Sequence, residues 1–226
     1  MSEARASFGY PIFLDLQGRL AVVVGAGPVG LRKVDGLLQA GAQVRLIDPQ
    51  EPVSCMDNLE FLAREFEESD LQGATLVFAC TDKKNINAQV ADAARRQSVF
   101  CCRADLPEDG DFALPALFRQ GALTVAVSTG GGSPTLAAEM RDRLQRHVPD
   151  CWGVSLDLMA AVRRKWLTLP NGAQYNQQVL RRFWAEQLLP QLEQKNRNKI
   201  NQLLIETFGK EFSLEQLQVQ LPEGMS

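Results

Sequence analysis

The stretch "VVVGAGPVGLRK" restricts the possible folds of this chain more than any other. Its Gly25, Gly27 and Gly30 form G-x-G-x-x-G directly after a β-rich run and at the start of a helical one. Gly25 permits a tight turn, Gly27 lets a pyrophosphate approach the backbone, and Gly30 allows the helix to lie close on the strand. The helix N-terminus offers N–H groups to an anion, with Pro28 and Val29 lining the loop. The next β-rich run, "QVRLID", ends in Asp48, about 20 residues onward, where an acid meets the adenosine ribose. A carboxylate there accepts from the 2′-hydroxyl and repels a 2′-phosphate, so NAD is favoured over NADP. The expected cofactor-binding residues are Gly25, Gly27, Pro28, Val29, Gly30, Asp48 and Pro49, with Thr81 as a further contact.

Around this loop the chain alternates strand and helix. "RLAVVVG", "QVRLID", a weaker "LEFLARE", "ATLVFACT" and "SVFCCRAD" read as strands, while "PVGLRKVDGLLQAG" and "KKNINAQVADAARRQ" carry apolar residues at helical spacing. That alternation predicts an α/β fold, a parallel doubly wound sheet of Rossmann type. Near residue 110 the pattern changes. "DFALPALFRQGALTVAVST" predicts two antiparallel strands joined at Gln120-Gly121. After Ser133 the reading is helical, with "PTLAAEMRDRLQRHV", "WGVSLDLMAAVRRKWLTL", "AQYNQQVLRRFWAEQLL" and "QLEQKNRNKINQLLIETF" broken at Pro149, Pro170-Asn171-Gly172 and Pro190. The expected division is 1–113 for NAD binding, 114–148 as a central segment and 149–226 as a helical domain.

Composition excludes several classes. A net charge of −3 over 226 residues gives no general basis for a nucleic-acid or anionic-membrane partner. No run has signal-peptide or membrane-spanning character. Five cysteines without CxxC spacing argue against a disulfide framework or structural zinc, and for a reducing cytoplasm. The one histidine, His147, limits any mechanism that needs imidazole; its place at a helix end suits a favourable dipole interaction.

A second glycine-rich loop, "STGGGSPTLA", ends the last predicted strand at Ser128 and Thr129. Gly130, Gly131 and Gly132 lead to Ser133 and Pro134, an N-cap and an N1 proline. "CCRADLP" delivers Asp105 to the strand edge where a substrate meets the nicotinamide. A carboxylate there can take a proton while hydride leaves for NAD, and it can equally be a loop or capping residue. The helical half carries Arg141, Arg143, Arg146, Arg163, Arg164, Lys165, Arg181 and Arg182, whose guanidinium forks suit carboxylates; a minority of them are expected to touch substrate. Trp152, Trp166, Phe183 and Trp184 read as core or subunit interface.

"YPIFLDLQGRLAVVVGAGPVGLRKVDGLLQAGAQVRLI", "CTD", "FCCRADLP", "LTVAVSTGGGSP" and "RRFW" together resemble the N-terminal module of the siroheme synthase family. The resemblance covers nearly the whole chain, and its distinctive part is "VAVSTGGGSP" after "FCCRAD". It implies two reactions: NAD takes hydride from precorrin-2 to give sirohydrochlorin, and ferrous or cobaltous ion, as a chelation substrate, then enters that macrocycle. The family's essential aspartate falls on Asp105. Its phosphorylatable serine falls on Thr129, a departure that keeps the hydroxyl and adds a methyl. The family often has asparagine at the Cys102 position and an apolar residue at the Arg103 position. It further implies that Ser128 and Thr129 join the catalytic set and that Gly130, Gly131, Gly132, Ser133 and Arg141 meet a carboxylate-rimmed tetrapyrrole. It implies a homodimer, formed through a segment that corresponds to 114–148, and no resident metal. A dehydrogenase without chelatase activity and a non-catalytic NAD sensor are the competing readings. The chain stops before any methyltransferase module, so uroporphyrinogen methylation is expected on another polypeptide.

Overall fold

In the computed structural model, which describes residues 9–50, 59–169 and 177–221, five short apolar runs form one parallel sheet. They are β1 (Leu20–Val24), β2 (Gln43–Ile47), β3 (Leu59–Leu62), β4 (Ala74–Ala79) and β5 (Phe100–Arg103), in the order β3-β2-β1-β4-β5. Parallel neighbours need crossovers, and two helices supply them: α1 (Pro28–Gln39) between β1 and β2, and α2 (Lys84–Gln97) between β4 and β5. The faces of the sheet bury separate cores. Val23, Val34, Leu37, Leu46 and Phe78 pack on the α1 side, and Val22, Val77, Val90, Ala94 and Cys101 on the α2 side. The expected α/β class and Rossmann-type sheet are observed.

Strand order puts the topological switch between β1 and β4, whose crossovers run to opposite sides, and a crevice opens there at the strand C-termini. Register keeps that edge level. Val24 lies opposite Ala79, and Ala79 opposite Arg103, so the chain leaves β1, β4 and β5 side by side.

The molecule divides into two compact units. The first holds the parallel sheet, up to Leu114, together with Gly130–Gly132; the second holds Pro115–Thr129 and the chain from Ser133 on. In the second, β6 (Ala116–Gln120) and β7 (Leu123–Val127) pair antiparallel around the Gln120-Gly121 turn, as expected. α3 (Pro134–His147) packs on that hairpin, and α4 (Cys151–Leu167) follows the break at Pro149. α5 (Gln177–Arg182), a π-helical turn (Phe183–Leu188), α6 (Leu189–Glu193) and α7 (Arg197–Phe208) complete a core around Leu158, Val162, Phe183, Leu188, Leu192, Ile200, Leu204 and Phe212. Trp152 and Trp184 meet edge-to-face at 5.6 Å, and Trp166 and Phe208 at 5.3 Å, so the tryptophans serve as core packing.

Two sequence expectations need correction here. Pro190 does not break its helix. Proline has no N–H to donate and its ring crowds the carbonyl of residue i−4; the widened π turn just before it absorbs both effects. The last helical run does break, at Lys195 (φ 56°), where Asn196 starts α7 by accepting from Lys199 N at 3.0 Å. The break expected at Pro170-Asn171-Gly172 lies outside the described residues.

The tightest packing is at the first glycine loop. A Cβ on Gly30 would stand 1.8 Å from Gly25 O, and one on Gly25 (φ 107°) would stand 2.8 Å from Cys80 O. Gly30→Ala therefore has to push α1 off β1. It is expected to lower unfolding free energy by about 3 kcal/mol in urea titration, near the upper end for overpacking a core; an unchanged midpoint would contradict the close approach.

Candidate functional site

The site is built from the loops that leave the level edge of the parallel sheet. Gly25 N donates to Ile47 O at 2.8 Å, Cys80 N to Val24 O at 2.8 Å and Ala104 N to Ala79 O at 3.0 Å. These bonds tie each departing loop to the neighbouring strand. With strands about 4.8 Å apart, the loops after β1 and β5 leave the sheet about 10 Å from each other.

Gly27, in extended geometry, precedes Pro28 at the first position of α1. No side chain caps this helix and no acidic residue stands in its first turn, while space is open where a Gly27 Cβ would be. An uncapped, uncrowded helix N-terminus over a glycine turn fits a pyrophosphate. Val29 and Pro28 are exposed beside it. Asp48, one residue beyond β2, turns back to this loop. Its Oδ2 accepts from Ala26 N at 2.7 Å and its Oδ1 from Gln50 N at 2.8 Å, with Pro49 exposed between them. The carboxylate is thereby oriented beside the glycine turn with lone pairs to spare for a ribose hydroxyl.

Thr81 stands where expected, after β4, but its polar groups are engaged within the protein. Its N–H and Oγ1 both donate to Asn87 Oδ1, at 3.1 and 2.7 Å, and its carbonyl accepts from Asn87 Nδ2 at 3.0 Å. Asn87 is fully buried. Its side chain is spent on Thr81, and the loop after β5 is tied to β4 by the backbone bond from Ala104 N to Ala79 O at 3.0 Å.

Asp105 is not a solitary carboxylate. Arg103 Nε donates to its Oδ1 at 3.2 Å and Arg103 Nη2 to its Oδ2 at 2.8 Å, a two-pronged pair. Arg103 is 6 % exposed and gives its remaining nitrogen, Nη1, to Asp109 Oδ2 at 2.5 Å. Arg95 of α2 holds the other side of Asp109. The Arg103 guanidinium, opposed by some desolvation and helped by Asn87, keeps the Asp105 carboxyl below the usual carboxylate range, and the two carboxylates raise the guanidinium in turn. Cys102 lies half-buried on β5, and burial pushes its thiol up; Cys80 is pushed up to about 11 for the same reason. Both thiols pack against the α1-side core of the sheet.

The second glycine loop is locally self-bonded. Thr129 Oγ1 donates to Ser133 O at 3.0 Å and accepts from Ser133 N at 3.1 Å, while Gly130 and Gly131 take positive φ. Ser133 caps α3 by accepting from Leu136 N at 3.2 Å, and Ser128 and Gly132 are exposed. Arg141 pairs with its neighbour Asp142 at 2.5 Å. His147, in the last turn of α3, donates from Nδ1 to Arg143 O at 2.8 Å, the helix-end role expected of it. Among the described residues, no helix is long and apolar enough to cross a membrane, and no three His, Cys, Asp or Glu side chains are grouped to hold a metal.

Asn87 was absent from the sequence reading although a signal existed. It occupies the apolar stripe of α2, in step with Val90, Ala91 and Ala94, where a polar side chain must find buried partners.

Comparison with known proteins agrees with this architecture. Residues 12–116 match the family described as "Putative NAD(P)-binding", and residues 120–147 match "Sirohaem biosynthesis protein central". The siroheme synthase of Thioalkalivibrio sulfidiphilus is 34% identical over 80% of this chain and 37% of its own length. That of Pseudomonas aeruginosa is 36% identical over 69% and 34%, and that of Nitrosococcus oceani 39% identical over 63% and 32%. The chain thus spans about a third of the length of these relatives. The solved structure titled "SirC, precorrin-2 dehydrogenase" superposes with a TM-score of 0.64 at 23% identity, over 93% of this chain and 99% of that one, which establishes a shared fold.

The region that matches the NAD(P)-binding family holds both the glycine turn and Asp48, which is proposed to meet the adenosine ribose of NAD. Asp48→Ala is expected to weaken NAD binding by about tenfold or more, the worth of a hydrogen bond to a charged group. NADP affinity should rise relative to NAD in the same fluorescence titration; an unchanged NAD/NADP ratio would remove Asp48 from the ribose.

Proposed function

This chain belongs to the siroheme-biosynthesis family whose NAD(P)-binding and central regions it carries, and from that premise we propose that it is an NAD-dependent precorrin-2 dehydrogenase. One observation supports the reading above the others. A dinucleotide loop and an oriented anion, Asp105, leave the same edge of one sheet, about 10 Å apart by strand spacing.

The reaction removes a hydride and a proton from precorrin-2 to give sirohydrochlorin. NAD, when bound, supplies the hydride acceptor. The uncapped start of α1 holds its pyrophosphate, and Asp48 orients the adenosine ribose. Hydride loss leaves positive charge on the macrocycle. Asp105, already an anion, stabilises that charge and receives the proton that is shed. The N–H groups of Gly130, Gly131 and Gly132, the Ser133 hydroxyl and Arg141 are proposed to meet the carboxylates of the substrate, with Ser128 and Thr129 supplying hydroxyls to the catalytic set. A homodimer formed through 114–148, and action in the cytoplasm, belong to the same proposal.

The proposal extends to metal insertion, with ferrous or cobaltous ion as substrate and Asp105 accepting protons from the pyrrole nitrogens. A second reading, dehydrogenase alone, draws on one observation: a carboxylate clamped by Arg103 is a weak base for N–H protons. Incubating the protein with sirohydrochlorin and either ion, without NAD, separates the two. Metallation above the uncatalysed rate is expected under the first, and none under the second.

The dehydrogenase reading is tested by NADH formation from precorrin-2 and NAD. Turnover is expected, whereas NAD binding with no turnover would mark a sensor. Asp105→Ala should reduce turnover by at least about 100-fold, the scale of a positioned acid–base group. NAD affinity in that variant should stay within about twofold, since only the chemical step has lost a contact. Wild-type turnover in that variant would end the assignment.

A further inference from the structure

We infer that Arg103 is a positioning residue for this reaction, one that clamps Asp105 as an ionised, oriented carboxylate at the end of β5. The inference rests on the dehydrogenase reading for its catalytic consequence, but the clamp itself is a property of these residues.

The clamp follows from strand period and burial. Residues alternate across a strand, so Cys101 and Arg103 face the same side of the sheet, the side covered by α2. An arginine at the last position of such a strand is carried into a buried setting, where its charge needs partners. The chain supplies them at once. Asp105 takes Nε and Nη2, and Asp109, in the 3₁₀ turn Pro107–Asp109, takes Nη1. Arg95 of α2 braces Asp109 from behind. The charged groups around Asp105 are therefore Arg103 next to it, Asp109 beyond Arg103, and Arg95 beyond Asp109. Every oxygen of Asp105 is bound by the guanidinium fork, which fixes the plane of the carboxylate as well as its charge.

Such a clamp makes Asp105 a fixed anion more than a strong base. The opposite charge of the Arg103 fork, hydrogen-bonded to both carboxylate oxygens, favours the ionised form. Protonation of Asp105 then lies below the ordinary aspartate range, so turnover persists into acid where an unclamped aspartate would fail. The signs agree: loss of Arg103 raises the Asp105 proton affinity and moves the acid limb of kcat/KM upward.

The experiment uses the full chain with NAD and precorrin-2. Arg103→Met removes the charge and keeps much of the volume; Arg103→Lys keeps the charge and loses the fork. The acid limb is expected to move upward by about one pH unit or more in Arg103→Met, and by less in Arg103→Lys. KM for precorrin-2 and the NAD dissociation constant should stay within about twofold in both, as for a group acting through another residue. Carbon NMR of the Asp105 carboxyl reads the same clamp without turnover: in the wild type it should titrate below the ordinary aspartate value, and higher in both variants. A folded Arg103→Met protein with an unmoved acid limb would overturn the inference. If that variant does not fold, a wild-type Asp105 titrating at or above the ordinary value overturns it equally. Absent turnover with a low Asp105 titration would instead sink the dehydrogenase reading and leave the clamp standing.

Discussion

Everything in the parallel-sheet unit depends on how closely α1 approaches β1. Gly30 lies so near the Gly25 carbonyl that no side chain fits, and a Cβ on Gly25 would stand 2.8 Å from the Cys80 carbonyl and 2.9 Å from Thr81 N. The first contact seats the helix with its N-terminus at the strand end. The second seals the loop after β1 against the loop after β4, which is the topological switch of the sheet. A bulkier residue at either place would tilt the helix or part the loops, and the anion-binding end of α1 would no longer lie over the crevice. Hydrophobic burial by Val22, Val23, Val34 and Leu46 stabilises this arrangement, but the glycines decide its geometry.

That geometry was legible because it is local. G-x-G-x-x-G between a valine run and an apolar-periodic helix specifies β1, the turn and α1 within a dozen residues, and Asp48 follows from the length of one helix and one strand. The antiparallel pair around Gln120-Gly121 was legible for the same reason. The π turn before Pro190 was not, because the sequence announces only the missing donor. Whether the chain breaks or widens there is settled by Phe183 and Leu188, both buried among side chains from distant helices. Nor was the state of Asp105 legible from its position. It depends on a side chain two residues away curling back along the edge, held in turn by Asp109.

Asp48 and Asp105 show how one sheet edge gives two carboxylates different work. Asp48 is held by backbone N–H groups, which orient it without neutralising its charge. It stays a hydrogen-bond acceptor that repels a phosphate. Asp105 is held by a guanidinium, which fixes it and also offsets its charge. The first arrangement suits recognition of a neutral hydroxyl, and the second suits an anion that must keep its orientation while charge develops nearby.

The buried cation is what makes the second arrangement self-consistent. Arg103 could not remain on the α2 face without carboxylates, and Asp105 and Asp109 could not crowd the same strand end without it. Asn87, buried beside them, spends its amide on the β4 loop, accepting from Thr81 N and Oγ1 and donating to Thr81 O. The loop after β4, which faces the glycine turn, and the loop after β5, which carries Asp105, are joined where they leave the sheet, by the bond from Ala104 N to Ala79 O. A displacement of either loop would strain hydrogen bonds of the other. This is a physical route by which the glycine-turn end and the Asp105 end of the edge keep their spacing, and it needs no contact beyond those of the sheet.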